Sequence, residues 1–170
     1  MGEPAKTAQL SMAAIVKENA IYDEVVNIPV HVGDQEYTIQ LHPYFSNTKV
    51  REMIEEMRMF IVNSSDENIE LNMEQELHDI IGYFIVRHFS NIKMTTSKKA
   101  KRIFAEYRQA LDSDVFKVII RAIPKESIQK VYQAICELQE LYVSLEKQMQ
   151  HLQAEYEKKT AYDQQAEYDQ

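Results

Sequence analysis

The sequence predicts a mostly helical α+β fold with a small N-terminal β-hairpin, a helical domain and a long C-terminal helix that carries a heptad seam. The chain has only three glycines and four prolines among 170 residues, too few for the many tight turns of an all-β sandwich. Near the N-terminus apolar and polar residues alternate, which is typical of strands. Over most of the remaining chain, apolar residues recur every three or four positions, the spacing of a helix face.

Composition and charge restrict the classes of partner and the compartment. Hydrophobic residues make up 45% and charged residues 27%, ordinary values for a folded soluble protein. The formal net charge of -8 opposes binding to nucleic acid or to an anionic membrane, and no apolar run is long enough to span one. The single cysteine, Cys136, cannot form an intrachain disulfide, which suits a reducing compartment. We therefore expect a cytoplasmic protein that binds neither nucleic acid nor membrane.

The first elements are an arm and a hairpin. Residues 1–24 mix small, polar and a few apolar residues, which predicts a flexible N-terminal arm. Apolar residues then alternate with polar ones from Val26 to Val32 and again in residues 37–41, on either side of a turn at Gly33-Asp34-Gln35.

Two features of this hairpin predict how it packs. Pro29 has no N–H to donate, so its strand should lie at a sheet edge or contain a bulge. An isolated hairpin is marginally stable, so one face should be covered by helices. That face would consist of Val30, Val32, Tyr37 and Ile39.

The hairpin and the helices that follow are predicted to form one domain, residues 25–141. A helix begins after the cap-like residues Ser46, Asn47 and Thr48 and ends in a polar loop at 63–68. Its core-facing stripe consists of Val50, Met53, Ile54, Met57 and Ile61. The most hydrophobic stretch follows a capping box of Asn72 and Gln75 and is the predicted central helix.

Two more segments precede the long helix. One helix should start at Thr95-Thr96-Ser97, although four cations near its beginning lie at the unfavourable end of the helix dipole. The segment after Asp112-Ser113 is so rich in β-branched residues that helix and strand both remain possible, and we favour helix. Pro124 then suits the first turn of the last helix.

The last helix has an unusually regular apolar pattern. Steps of three and four alternate without a miss over about four heptads, as in the a and d positions of a coiled coil. These positions are Ile128, Val131, Ile135, Leu138, Tyr142, Leu145, Met149, Leu152 and Tyr156. The part up to residue 141 should pack on its own domain, residues 142–158 should protrude, and the polar residues 159–170 should be a disordered tail.

The protruding end is the predicted binding surface. No hydrophobic segment remains downstream to cover it, and an exposed apolar stripe usually marks a partner surface. The predicted partner-binding residues are Leu138, Tyr142, Leu145, Met149, Leu152 and Tyr156. A second copy of the chain is one candidate partner, which predicts a homo-oligomer. The flanking charges do not specify the number of copies, because Glu146 and Glu155 are accompanied by neutral glutamines.

No catalytic, cofactor-binding or metal-binding residue is predicted. The five histidines show no i, i+4 pairing, and a zinc site needs three or four convergent ligands. His88 lies near an apolar face and is expected to be a hydrogen-bonded core residue. Cys136 falls on position b of the seam without an indicated histidine beside it, as a nucleophile would require. Phosphate-binding glycine loops are absent from the sequence, so we do not expect an enzyme.

Three phrases resemble a known family. The hairpin reads Val-Gly-Asp-Gln-Glu-Tyr-Thr-Ile, the central helix contains Ile-Ile-Gly-Tyr-Phe-Ile-Val-Arg-His-Phe-Ser, and a later segment reads Leu-Asp-Ser-Asp-Val-Phe. Together with the order of elements over about residues 26–141, they resemble the tail assembly chaperones of long-tailed, siphovirus-type phages and prophages of Gram-positive bacteria.

This resemblance implies a protein that self-associates and binds the tape-measure protein and tail-tube subunits in the cytoplasm of the host cell. It also implies that the chain is the short form of a pair made by translational frameshifting, and it transfers no catalytic residues. The alternative is a stable structural or adaptor subunit that acts through a C-terminal coiled coil.

Overall fold

The protein has the predicted α+β fold in a computed structural model that describes the backbone of residues 9–168 and the side chains of residues 9–151 and 153. In chain order, the elements are α1 (Met12–Asn19), a 3-10 helix (Ala20–Asp23), β1 (Val26–Val32), β2 (Gln35–Leu41), α2 (Asn47–Asp66), α3 (Met73–Phe89), α4 (Ala100–Leu111), α5 (Asp114–Ala122) and α6 (Lys125–Tyr168). The chain divides into two compact units, one ending at Lys130 and one beginning at Val131, so the second unit consists of most of α6.

The N-terminal arm contains a short helix that contributes nothing to the core. Ser11 caps α1 with a side-chain oxygen that accepts a hydrogen bond from the Ala14 N–H at 3.3 Å. None of the α1 residues is buried, and Met12 and Val16 are strongly exposed. The predicted flexibility of residues 1–24 remains a prediction, and residues 1–8 lie outside the described residues.

The hairpin has a two-residue turn. Strands β1 and β2 are antiparallel, with Val32 opposite Gln35, so only Gly33 and Asp34 connect them. Gly33 has a φ of +60°, the conformation required at the first central position of a type II′ turn. Pro29 is exposed and lies opposite Thr38 in a two-stranded sheet, where both strands are edges. This position agrees with the prediction that the strand containing Pro29 lies at a sheet edge.

The covered face of the hairpin differs from the predicted one. Its buried residues are Ile28, Val30, Ile39 and Leu41, whereas Val32 and Tyr37 are 53% and 48% exposed. The hairpin is attached at the far end of β2, where the His42 N–H donates to the Phe89 carbonyl at 2.8 Å. The tip therefore extends past the helices that cover the base, and the prediction that Val32 and Tyr37 are covered was wrong.

Helix α3 is central in the first unit, as its hydrophobicity predicted. Helices α2, α4 and α5 all pack against it. Its buried residues are Ile80, Ile81, Tyr83, Phe84, Ile85, Val86 and Phe89. Phe89 stacks on Phe45 with ring centroids 3.7 Å apart, which connects the end of α3 to the chain segment that leads into α2.

Helix α2 continues to Asp66, so the prediction of a loop from residue 63 was wrong. The helix ends in a Schellman motif, in which Asn68 adopts a φ of 55°. The Ile69 N–H donates to the Ser64 carbonyl at 2.8 Å, and the Asn68 N–H donates to the Ser65 carbonyl at 3.2 Å. The buried Ser64 donates its hydroxyl to the Phe60 carbonyl at 2.7 Å, so this polar residue is satisfied within the helix.

The capping of α3 and α4 also differs in detail from the prediction. Asn72 caps α3 as predicted, but the reciprocal bond comes from Glu76, whose carboxylate accepts from the Asn72 N–H at 3.0 Å, and not from Gln75. Helix α4 begins at Ala100, later than the predicted start at Thr95-Thr96-Ser97. The carboxylate of Glu67 caps it from a distant part of the chain by accepting from the N–H groups of Ala100 and Lys101 at 3.0 and 2.9 Å.

Helices α5 and α6 complete the fold. The β-branched segment is helical, as we favoured. The first two turns of α6 are attached to the rest of the first unit: Ser127 donates its hydroxyl to the Pro43 carbonyl at 2.7 Å, and Lys130 donates to the Phe45 carbonyl at 2.6 Å. The backbone of α6 is helical to Tyr168. The disordered tail predicted at 159–170 stays a prediction, and residues 169 and 170 lie outside the described ones. Alanine, glutamate, glutamine and lysine, all strong helix formers, explain this continuation.

Candidate partner-binding surface

The apolar seam of α6 becomes exposed along the helix. Val131 is fully buried, and Ile135 and Leu138 are partly buried. Tyr142, Leu145 and Met149 are 55%, 45% and 70% exposed. Among the described side chains, those of the seam are thus exposed after Leu138. The predicted boundary at residue 142 stays a prediction. The side chains of Leu152 and Tyr156, the remaining predicted partner-binding residues, lie outside the described ones.

The exposed part of the seam has the geometry of a helix-binding stripe. Tyr142, Leu145 and Met149 are separated by three and four residues and therefore share one helix face, about 10 Å long at 1.5 Å per residue. Leu141, at the neighbouring g position, is 54% exposed and widens the stripe. A contiguous apolar face of this kind is suited to bury another apolar surface. Its binding role remains a prediction.

A groove on the first unit is a second, weaker candidate. It has a volume of about 700 Å³ and lies between α2 and the segment that leads into α4. The buried side chains of Phe60 and Ile103 contribute to its lining, together with Met59, which is 42% exposed. Charged side chains, among them Glu52 and Lys98, also line it.

Sequence reasoning missed a polar network that connects α2, α3 and α4. The Arg87 side chain is only 11% exposed, and its Nε donates to Glu56 at 2.9 Å. Its Nη2 donates to the Thr95 carbonyl at 2.7 Å, and Glu106 accepts from the Thr95 N–H at 2.6 Å. His88 lies 2.6 Å from the second oxygen of Glu56, so it is hydrogen-bonded as expected. The heptad and capping patterns contain no signal for such a network.

The network has a structural role. Tyr83 donates its hydroxyl to Glu106 at 3.0 Å. Burial raises the pKa of Tyr83 well above its ordinary value, and Arg87 opposes this shift. The phenol therefore stays protonated and acts as a donor. These hydrogen bonds attach the segment before α4 to the central helix. Arg87 Nη1 makes no hydrogen bond to the described residues and lies 3.7 Å from the Glu106 carboxylate.

Other kinds of site were also sought among the described residues. There, no three His, Cys, Asp or Glu side chains converge as a metal site would require. Cys136 is exposed on α6. None of the described helices combines the length and the apolar character needed to cross a membrane. The expectation that the protein is not an enzyme remains a prediction.

Comparison with known proteins gives a family and a relative. The family model described as YomO matches residues 12–168. The SPbeta prophage-derived protein YomO of Bacillus subtilis (strain 168) is 28% identical over 101 residues, and the match covers 59% of this chain and 59% of that protein. No solved structure matches the chain. These findings relate the chain to phage and prophage proteins, and they do not identify a tail assembly chaperone.

Proposed function

Because this chain belongs to the YomO family and has a prophage-derived relative, we propose that it is a non-enzymatic phage assembly protein that acts by binding other proteins. The observation that carries the proposal is the exposure of Tyr142, Leu145 and Met149 on one face of α6. Large apolar side chains gain free energy when a partner removes them from water. The exposed seam is therefore the surface on which binding is expected.

The size of this surface favours reversible binding. Full burial of a large apolar side chain is worth about 1.5 to 3 kcal/mol, so three half-exposed ones contribute about 2 to 5 kcal/mol per copy. Association costs on the order of 4 to 15 kcal/mol in lost freedom of motion. The described part of the seam thus supports association that is weak and concentration-dependent.

A tail assembly chaperone is the finer role that we propose. Such a protein would self-associate, bind the tape-measure protein and tail-tube subunits in the host cytoplasm, and leave the finished virion. Two findings support this role: the resemblance over about residues 26–141, and the relation to a prophage protein. A partner that must later be released is served better by a modest apolar surface than by a large permanent interface.

Co-expression with the tape-measure protein of the same phage genome tests this role. The wild-type chain should keep the tape-measure protein soluble and co-purify with it. Leu145→Ser should reduce the co-purified amount several-fold, because it removes an apolar contact from the seam. Val143→Ser is the matched control, since Val143 is 46% exposed on the same helix but lies at position b, off the seam. If the tape-measure protein neither stays soluble nor co-purifies with the wild-type chain, the result contradicts the chaperone role.

One observation favours the alternative, a permanent structural or adaptor subunit. The heptad pattern spans about four heptads, and the α6 backbone stays helical to Tyr168, which is compatible with a long stable coiled coil. Sedimentation velocity over a hundredfold dilution distinguishes the two. A chaperone should dissociate on dilution, whereas a permanent subunit should keep one sedimentation coefficient.

A further inference from the structure

The groove between α2 and the segment before α4 has a shape, a floor and a charge pattern that point to one class of occupant. We infer that this groove, the α2 groove, binds an acidic amphipathic helix of another protein. Carboxylates of that helix meet cations at the two ends of the groove, and its apolar side chains pack on the floor between them. The groove lies in the first unit, so the inference does not depend on the seam or on the proposed function.

The shape of the α2 groove suits a helix. Its α2 side runs from Arg51 to Asn63 and consists of pairs of adjacent residues repeated every four positions, which form one helix face. At 1.5 Å per residue, the two ends of this face are about 18 Å apart. The opposite side consists of Thr96, Lys98 and Ile103. A helix of about three turns therefore fits along the groove.

The floor of the groove is apolar. Phe60 and Ile103 are buried in the fold and line the groove, and Met59 is 42% exposed there. Val62, three residues after Met59, lies on the same side of α2 and is 45% exposed, which widens the apolar surface. The unbranched side chain of methionine adapts to different contacts, so this floor can accept the apolar side chains of a partner.

Unpaired cations border both ends of the groove. Arg51 lines one end, and Lys98 lines the other, where the Asn63 amide donates to the Lys98 carbonyl at 3.5 Å. Three more exposed cations follow Lys98 in the sequence: Lys99, Lys101 and Arg102. None of these five cationic side chains forms an ion pair with a described residue. They therefore remain available to an acidic partner.

The carboxylates of the groove do not neutralise these cations. Glu55 is paired with Arg58 at 2.6 Å, and Glu56 accepts from Arg87 at 2.9 Å. Among the described lining residues, this leaves the Glu52 carboxylate against two unpaired cations. The unpaired charge along the groove is thus positive, in a chain whose formal net charge is -8.

The cations near the start of α4 are unfavourable for the helix itself. They lie at the positive end of the helix dipole and close to one another. Glu67 already accepts from the N–H groups of Ala100 and Lys101, so an external carboxylate would meet the side chains and not the backbone. A sequence breaks a local rule of this kind mainly where a function requires it. Carboxylates of a partner would relieve the repulsion among these cations.

An acidic protein helix fits this surface better than a nucleic acid does. The net charge of -8 repels a polyanion, and Glu52 lies within the groove. A phosphate backbone would also leave Met59 and Val62 uncovered, whereas the apolar face of an amphipathic helix covers them. The occupant is therefore a helix with acidic residues in its first and last turns and apolar residues on one face between them.

Methionine methyl groups report which surface a ligand uses. Met59 lies in the α2 groove, whereas Met149 lies on the seam of α6 and is 70% exposed. The probe is a synthetic amphipathic peptide of about 16 residues, with glutamates in its first and last turns and leucines on one face between them. It is titrated into the full-length protein with isotopically labelled methionine methyl groups. The Met59 methyl resonance, assigned with Met59→Leu, should shift as the peptide is added.

Charge reversal at the groove tests the role of the cations. Lys98→Glu should weaken peptide binding at Met59 about 5- to 10-fold at low ionic strength, because attraction becomes repulsion. Lys93→Glu is the matched control, since Lys93 is exposed and lines a different cavity, and the change in charge is the same. This control should bind the peptide nearly as the wild type does. A peptide with lysine at each glutamate position should leave the Met59 resonance in place.

Four results would overturn the inference. The acidic peptide could leave the Met59 resonance unmoved, including the case in which it moves only that of Met149. The lysine peptide could shift Met59 as much as the acidic one does. Lys98→Glu and Lys93→Glu could weaken binding equally. Finally, double-stranded DNA could shift Met59 at a lower concentration than the peptide, which would assign the surface to nucleic acid.

Discussion

The Arg87 network allows a sharp prediction about stability. Replacing Arg87 by Met keeps most of the side-chain volume but removes the guanidinium that bonds to Glu56 and to the Thr95 carbonyl at 2.9 and 2.7 Å. Hydrogen bonds to charged groups are worth about 1.5 to 3 kcal/mol each. The partial exposure of Glu56 reduces the contribution of the bond between Arg87 and Glu56. We therefore expect the free energy of unfolding to fall by about 3 kcal/mol.

Urea unfolding at low protein concentration measures this loss without a contribution from association. With a slope of about 1 to 3 kcal/mol per molar urea, the midpoint should fall by 1 M or more. Arg58→Met is the matched control, because Arg58 and its partner Glu55 are 45% and 58% exposed and such surface pairs contribute about 0 to 1 kcal/mol. If Arg87→Met costs no more than Arg58→Met, the network does not stabilise the fold as we conclude.

Two further predictions concern the same unit. Burial raises the pKa of Tyr107 to about 12, and its buried hydroxyl has no hydrogen-bond partner among the described residues. Tyr107→Phe should therefore leave the unfolding free energy unchanged or raise it by up to about 1 kcal/mol. A clear loss of stability in urea unfolding would contradict this prediction. Glu67 caps α4. The pKa of its carboxyl group is lowered, mainly by the hydrogen bond that it accepts from the Lys101 N–H. The contribution of Glu67 to the free energy of unfolding should be complete at a pH above its ordinary pKa. It should be lost as the pH falls through the lower pKa of the folded state. Glu67→Gln should flatten stability against pH in that window, and an unchanged profile would contradict the capping role.

The parts of the fold that follow from local patterns could be predicted from the sequence. Alternation located the hairpin, and the three-to-four spacing located α2, α3 and the long helix. Local caps were less reliable: Ser46 was among the predicted caps and does cap α2, but α4 is capped by Glu67, 33 residues before Ala100. No local signal can identify a cap whose donor and acceptor meet only after folding.

The burial of a side chain could be predicted only where the residues that would cover it lie nearby in the sequence. The exposure of Tyr142 agrees with the mostly polar composition of residues 157–170, which were not expected to cover the seam. The exposure of Val32 and Tyr37 depends instead on how far the helices reach along the hairpin, which is a tertiary property. The Arg87 network was missed for the same reason, since its carboxylates come from α2 and α4 and its arginine from α3.

The central claim is that the exposed seam of α6 mediates association. Sedimentation equilibrium of the wild-type chain, Leu145→Ser and Val143→Ser tests it most directly, with circular dichroism to show that helix content is unchanged. Loss of one seam leucine per copy should weaken association of two copies roughly 10- to 100-fold, since each copy loses about 0.7 to 1.4 kcal/mol of burial and the pair about 1.4 to 2.8 kcal/mol. Val143→Ser should associate like the wild type. Equal effects of the two substitutions, or a wild-type chain that stays monomeric at every concentration, would contradict the claim.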